Sequence, residues 1–404
     1  MQWLDRKGFE FSLDYPWFFR HVARPMLYRR ARKEAEEIEK KENRKVDVPE
    51  VVHRQAVAFL NDNLDLLGRH KGKFEFGNLY VQLNGRRIKA FGTAAGLDKN
   101  GDALVPFSYA FGYQTPGTVI VPKRKGNDPK RVCPDDRNED LYNAQGFPSE
   151  GGEYFYGNVR NYFFTDCPKV PLKFSLTGIP TKEMPPEEAL LVAKGQVQGL
   201  VETFKVYAAG FEWNPFSPNT DTMKMLRTPE SFREYAEIMR RAAPDKIRLV
   251  KMGPYEDSEG ERREWFSLLE AWLEGGGHGV TVVNTKKVPK EQVPEKEWGY
   301  QTAAQSGRSL KPNRLRAVKE VRERYPEAVI CATGGIFEGE DAYDTFKLGA
   351  NMVESLTPVT FYGLGLESKK MQYVSKRLKK EGYQDLMELQ YEARKGAKLL
   401  CNAE

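Results

Sequence analysis

The chain has 404 residues, 63 basic and 57 acidic, for a formal net charge of +6, with 40% hydrophobic and 12% aromatic side chains. That is enough apolar material for a sizeable core and excludes a disordered chain, and charges so near balance give no support to nucleic-acid coating. No run approaches the ~18 apolar residues of a spanning helix, and no apolar h-region or small-residue cleavage site opens the chain. Cys133, Cys167, Cys331 and Cys401 form no CxxC pair, and His21, His53, His70 and His278 are scattered. We therefore expect a reducing compartment and no metal site.

Residues 17–33 hold six basic and no acidic side chains. Phe18, Phe19, Val22 and Met26 recur at helical steps, and Pro25 interrupts them, so the spacing predicts two short helices or a kink. Residues 34–45 alternate charge densely, as a solvated helix or a linker does. Pro49 then opens another amphipathic helix. From residue 78 the texture changes. Asn84-Gly85 between two alternating runs predicts a hairpin. Short apolar runs follow at 89–96, 117–121, 171–176, 210–214, 247–252, 279–284, 328–335 and 351–356, with helical patterns between many of them. Eight buried-type strands with helical crossovers point to an α/β chain folded as a (β/α)₈ barrel. The long Pro/Gly/Asn-rich connection 122–170 reads as a functional insertion. We divide the chain into an N-terminal helical extension, 1–77, with a charged insertion at about 32–47, and a barrel, 78–404.

Polar residues gather where the expected strands end: Asp98, Lys99 and Asn100 after the first, Asn214, Ser217, Asn219 and Thr220 after the fourth, Lys251, then Asn284 and Thr285, then Gly334 and Gly335, then Thr357. In a barrel those ends share one face. Each residue alone reads equally well as a cap or turn former; the pattern over six strands points to a site. The Gly-Gly turn after the seventh strand suits a phosphate bound by backbone N–H groups. Asn143, Asn214, Asn219 and Asn284 offer the donors and acceptors a cyclic imide needs. Lys99 and Lys251 offer cations to an anionic ligand. Ser217 is a poor base unless its proton is relayed.

Together AAGLDKNGDA (94–103), YNAQGF (142–147), NPFSPNT (214–220), LVKMGP (249–254), VVNT (282–285), ATGGI (332–336) and TFYG (360–363) resemble the dihydroorotate dehydrogenase family, in particular its membrane-associated, quinone-reducing class. RPMLYR (24–29) and PEVVHR (49–54) look like that class's quinone-tunnel helices. The resemblance implies a barrel holding FMN, with Ala94, Ala95, Gly96, Lys99, Thr118, Ser175, Asn214, Lys251, Thr285, Gly307, Gly334, Gly335, Leu356 and Thr357 at flavin-contacting positions. It implies substrate contacts from Lys99, Asn143, Phe147, Asn214, Asn219, Asn284 and Thr285. Ser217 falls where the quinone class carries its catalytic serine. Ser175 stands where the family has asparagine, Pro134 where it has an arginine near the quinone, Leu356 where it has tyrosine, and Pro148 where it favours asparagine.

The implied reaction oxidises dihydroorotate to orotate in pyrimidine (UMP) biosynthesis. The expected partners are dihydroorotate or orotate, a quinone and membrane lipid, with no nucleic acid. The expected location is peripheral, on the cytoplasmic side of a bacterial-style inner membrane. Two other readings stand beside this one: an FMN barrel using a soluble acceptor or another pyrimidine, and a non-catalytic flavin- or pyrimidine-binding barrel.

Overall fold

The computed structural model describes residues 2–401 apart from Pro218 and Asp257. Seven parallel strands form its main sheet: β1 (Phe91–Thr93), β2 (Leu172–Leu176), β3 (Ala208–Trp213), β4 (Ile247–Lys251), β5 (Gly279–Val282), β6 (Val329–Ala332) and β7 (Met352–Ser355). Their order is β1-β7-β6-β5-β4-β3-β2. Residues 113–119 close the ring between β1 and β2 through single bridges, Gly92 to Tyr113, Gln114 to Leu172 and Val119 to Leu176. The regular strand expected at 117–121 is therefore not formed. Pro116 has no N–H to give to a ladder, and Gly117 adopts φ +113°. The architecture is nonetheless the expected (β/α)₈ barrel.

Alternation along the strands decides which residues reach the interior. Phe174, Phe211 and Trp213 face the surrounding helices, and Trp213 stacks on Tyr235 with ring centroids 4.2 Å apart. The opposite parity turns Lys173, Ser175, Glu212 and Asn214 inward. Helices Pro186–Phe204, Pro229–Ala242, Glu259–Glu274, Lys311–Arg324 and Gly339–Lys347 surround the sheet as their periodicity predicts. Thr228 and Ser258 cap two of them by accepting the N–H groups of Ser231 and Glu261, each at 3.2 Å. The Asn84-Gly85 hairpin forms as expected, both residues at positive φ.

The insertion 122–170 is more ordered than its composition implies. It supplies strands Val132–Asp135 and Asp140–Asn143 and helix Gly152–Phe164. The two strands join Thr302–Gly307 and Lys286–Pro289 in a four-stranded antiparallel sheet at the barrel mouth. Tyr142, Cys133, Val288, Trp298 and Ala303 give that sheet its own small apolar core.

At the N-terminus, Pro25 does not break the helix. A π-helical turn, Phe19–Ala23, precedes it, and the Arg24 N–H reaches back to the Phe19 carbonyl. This turn absorbs the hydrogen bond that proline cannot donate. The helix Arg24–Glu42 then runs on and ends at Asn43, in the left-handed region. Its partner is Val48–Asp62, with Ala31, Ala35, Val46 and Val51 packed between them. Arg20 and Arg24 turn toward protein: Arg20 Nη1 lies 2.9 Å from Glu139 Oε1, Arg24 Nη1 lies 2.5 Å from Asp136 Oδ1, and both guanidinium groups cover Phe361. Phe11, Tyr15, Trp17 and Met26 are exposed nearby. No helix among the described residues is long and apolar enough to cross a membrane.

Leu13, Val57, Leu60, Leu67 and Phe74 share one apolar cluster with barrel residues such as Leu79, Phe91 and Leu364. Leu13 is 1% exposed. Leu13→Ala should lower global stability by about 2–5 kcal/mol, as for other buried leucines. Urea unfolding checks this; a loss below about 1 kcal/mol would show that the first helix is dispensable to the barrel core.

Candidate active site

The strand ends open into a cavity of about 1730 Å³ that continues between the N-terminal helices. Its floor and walls include Ala94, Ala95, Gly96 and Lys99 after β1, Thr118 from the closing segment, Asn214, Ser217 and Asn219 after β3, and Lys251 at the end of β4. Asn284 and Thr285 follow β5, Gly334 and Gly335 follow β6, and Leu356 and Thr357 follow β7. The mouth sheet adds Asn143 and Gly307, and the loop after it adds Phe147. Of the residues singled out by sequence, Ser175 and Thr220 do not line the cavity; Thr220 lies behind Ser217. Ser175 is fully buried, with its Oγ 3.2 Å from Thr118 Oγ1, so it stands behind Thr118.

The amides are already oriented. Asn214 Nδ2 donates to Thr118 Oγ1 at 2.9 Å, and Asn284 Nδ2 donates to Asn214 Oδ1 at 3.2 Å and to the Phe216 carbonyl at 2.9 Å. Asn219 Nδ2 donates to Asn143 Oδ1 at 3.2 Å, and the Asn143 amide donates to the Ala304 carbonyl at 3.2 Å. These bonds fix which amide atoms remain for a ligand. Ser217 is buried, and its Oγ donates to Thr220 Oγ1 at 3.4 Å.

Two cations face the cavity without a close partner. Lys251 is 6% exposed and makes no hydrogen bond or ion pair with any described residue. Lys99 likewise has none, and burial pushes its ammonium down to about 8, helped by the Arg131 charge and opposed by Glu50 and Asp47. The neighbouring Asp98 is pushed up to about 7 by burial and then by Asp102, although its oxygens accept the Asp102 and Ala103 N–H groups at 2.9 and 3.0 Å. The Gly334-Gly335 turn has positive φ at both residues and is fixed by Arg314 Nη1, which donates to the Gly334 carbonyl at 2.5 Å. The N–H groups of Gly335 and Ile336 meet no acceptor among the described residues. Such a turn is a nest for an anion.

Toward the N-terminal helices the lining becomes apolar, with Phe19, Val22, Leu27, Val52, Ala56 and Phe59. Pro134 lies there too. Beside it, Arg131 bonds both oxygens of Glu50, each at 3.0 Å, and the Lys125 and Asn127 carbonyls at 2.8 and 2.5 Å. His53 also lines this part, and burial, with the Lys99 charge, lowers its imidazole to about 4.

With this geometry in place, the sequence profile described as dihydroorotate dehydrogenase matches residues 79–378. The chain belongs to the dihydroorotate dehydrogenase family. A dihydroorotate dehydrogenase (quinone) of Sulfurovum sp. is 25% identical over 307 residues, covering 75% of this chain and 82% of the relative. The mitochondrial dihydroorotate dehydrogenase (quinone) of Kluyveromyces lactis is 28% identical over 335 residues, covering 75% of this chain and 73% of the relative. A ligand-free crystal structure of the Eimeria tenella enzyme has the same fold, with a TM-score of 0.67 at 21% identity over 80% of this chain and 96% of that one. The chain is accordingly an oxidoreductase of this family.

Sequence reasoning left four neighbours of the site without a role. Glu50 and Arg131 pair across 81 residues, and nothing local announces the contact. His53 lies in PEVVHR, where only the resemblance singled it out. Thr220 was visible at a strand end, but its approach to Ser217 depends on the loop's fold.

Proposed function

We propose that this dihydroorotate dehydrogenase oxidises dihydroorotate to orotate in pyrimidine biosynthesis, with FMN as hydride acceptor and a quinone as terminal acceptor. The carrying observation is that Ser217, Lys99 and four asparagines line one cavity. The cavity fits a flavin mononucleotide in two respects: the buried, unpaired Lys251 ammonium calls for an acceptor, and the open N–H groups of the Gly-Gly turn suit a phosphate. Ala94, Ala95, Gly96, Lys99, Thr118, Asn214, Lys251, Thr285, Gly307, Gly334, Gly335, Leu356 and Thr357 would hold it, with Ser175 supporting Thr118. When bound, FMN supplies the hydride-accepting chemistry.

The chain's own residues do the rest. Asn143, Asn214, Asn219 and Asn284 present amide donors and acceptors to the ring of dihydroorotate, with Thr285 beside them. Phe147 covers it from the loop that follows the mouth sheet. Lys99 meets the carboxylate. Ser217 Oγ takes the C5 proton as it passes its own to Thr220 Oγ1, and Thr220 in turn releases its hydroxyl proton to solvent water, which gives an otherwise weak base the relay it needs.

The apolar continuation of the cavity supports a quinone path. The exposed Phe11, Tyr15, Trp17 and Met26 support peripheral contact with lipid. One observation favours a soluble acceptor instead: the Arg131 guanidinium is engaged by Glu50 and two carbonyls, so it offers no free fork to a headgroup beside Pro134.

The purified protein should release FMN on denaturation, and anaerobic dihydroorotate should bleach it. A colourless protein that cannot be reconstituted would end this reading. Ser217→Ala should slow the bleaching by about 10²–10⁴-fold while FMN content stays near normal. Equal rates in the two proteins would remove Ser217 from the mechanism.

The Lys99 charge sets a pH limit. A lysine lowered to about 8 is charged below that pH and neutral above it. Orotate affinity should therefore fall as pH rises through about 8, by up to tenfold per unit. Lys99→Met should bind orotate weakly with no such fall. A wild-type affinity constant from pH 7 to pH 10 would contradict the assignment.

Ala56→Trp fills the apolar continuation. It should spare flavin reduction by dihydroorotate and strongly lower reoxidation by a short-chain quinone. Unchanged quinone turnover would place the acceptor's path elsewhere.

A further inference from the structure

A layer of charge crosses the barrel interior beneath the cavity. Lys173 of β2, Glu212 of β3 and Glu354 of β7 are 5%, 0% and 1% exposed. Lys173 Nζ lies 2.9 Å from Glu212 Oε2 and 2.9 Å from Glu354 Oε1. Thr281 Oγ1 donates to Glu212 Oε2 at 2.6 Å, and Thr115 Oγ1 donates to Glu354 Oε1 at 2.5 Å. The second oxygen of each carboxylate, Glu212 Oε1 and Glu354 Oε2, is buried without a hydrogen-bond partner.

Barrel interiors are ordinarily filled by layers of branched apolar side chains. An ion layer there carries a desolvation cost that apolar residues of the same volume avoid. Folding alone therefore gives no reason for it. The layer is also close to the site. Glu354 lines the cavity, and Glu212 lies on β3 one inward step before Asn214, which follows the strand. One lysine against two glutamates leaves the layer with a formal charge of −1. The field of Lys251, one of the site's cations, reaches Glu212.

Fixed negative charge opposes the arrival of more. A flavin that takes up two electrons and one proton gains one negative charge. We propose that the Lys173–Glu212–Glu354 layer sets the reduction potential of the flavin bound above it, holding it low so that electrons leave readily for the acceptor. This rests on the FMN reading given under Proposed function. The three residues act through the field and touch no substrate; they are positioning residues for charge.

The test is a reductive titration of the FMN-loaded protein with dithionite against reference dyes. Three variants each bring the layer to zero charge: Glu212→Gln, Glu354→Gln, and the triple Lys173→Met with Glu212→Gln and Glu354→Gln. All three should favour reduced over oxidised flavin by about tenfold relative to wild type, about 30 mV upward for a two-electron couple. All three should reach a similar potential, although the triple breaks far more hydrogen bonds. That agreement separates a charge effect from a packing effect. An unchanged or lowered potential would overturn the proposal, as would a shift that grows with the number of substitutions. If a single variant does not fold, the triple, which leaves no unpaired charge, still decides the matter. A wild-type protein without flavin overturns the FMN reading and this proposal together, and it shows before any variant is made.

Discussion

Burying a positive charge with nothing to meet it costs several kcal/mol, and this barrel does so at Lys251. The strand carrying it is otherwise buried and continuous, so the ammonium has no route to solvent except through the cavity. That constraint organises its surroundings. Glu212 sits within reach of its field from below, held at about 2 against burial by Lys173, Lys251 and a Thr281 hydrogen bond. From above, the cavity has to supply an acceptor or an anion. The Gly-Gly turn, with open N–H groups, repeats the same demand a short way round the rim.

The rest of the fold brings the other half of the site to this cation. Parallel strands deliver their C-terminal ends to one face, and their following loops carry Asn214, Ser217, Asn219 and Asn284 there. The mouth sheet brings Asn143 and Gly307 from two distant segments, paired through Asp140–Asn143 and Thr302–Gly307. The Arg20–Glu139 and Arg24–Asp136 pairs tie the N-terminal helices to the turn of that same sheet. The apolar part of the cavity thus opens directly onto the polar part, and a ligand in each would be neighbours.

The elements that could be read from sequence are those whose signal is local. Apolar runs of the barrel strands, the Asn84-Gly85 hairpin and the amphipathic crossovers all carry their period within a few residues. The closing segment 113–119 does not, because Pro116 and Gly117 interrupt the ladder while the ring still closes. The strands at 286–289 and 302–307 are short, partly polar and paired over long range, so no period marks them. The π turn is a response to Pro25 that carries the chain on into one long helix, where the sequence points to two short helices or a kink. Within the site, residue types at strand ends gave the location, and the family resemblance gave the roles. The ion layer left one charged letter inside each of three apolar runs, in PLKFSL, GFEWN and NMVESL. That those three letters meet is a property of the closed barrel.

The central claim is that flavin and pyrimidine share one cavity, with Lys99 and the asparagines holding the second beside the first. The most direct measurement is orotate titration of the FMN-loaded protein, followed by the flavin's visible absorbance. The account predicts a saturable spectral change at one orotate per flavin, weakened at least tenfold by Asn284→Ala, since the amide lost also orients Asn214. An unperturbed flavin spectrum at saturating orotate, with binding proven by calorimetry, would place the two ligands apart and contradict it.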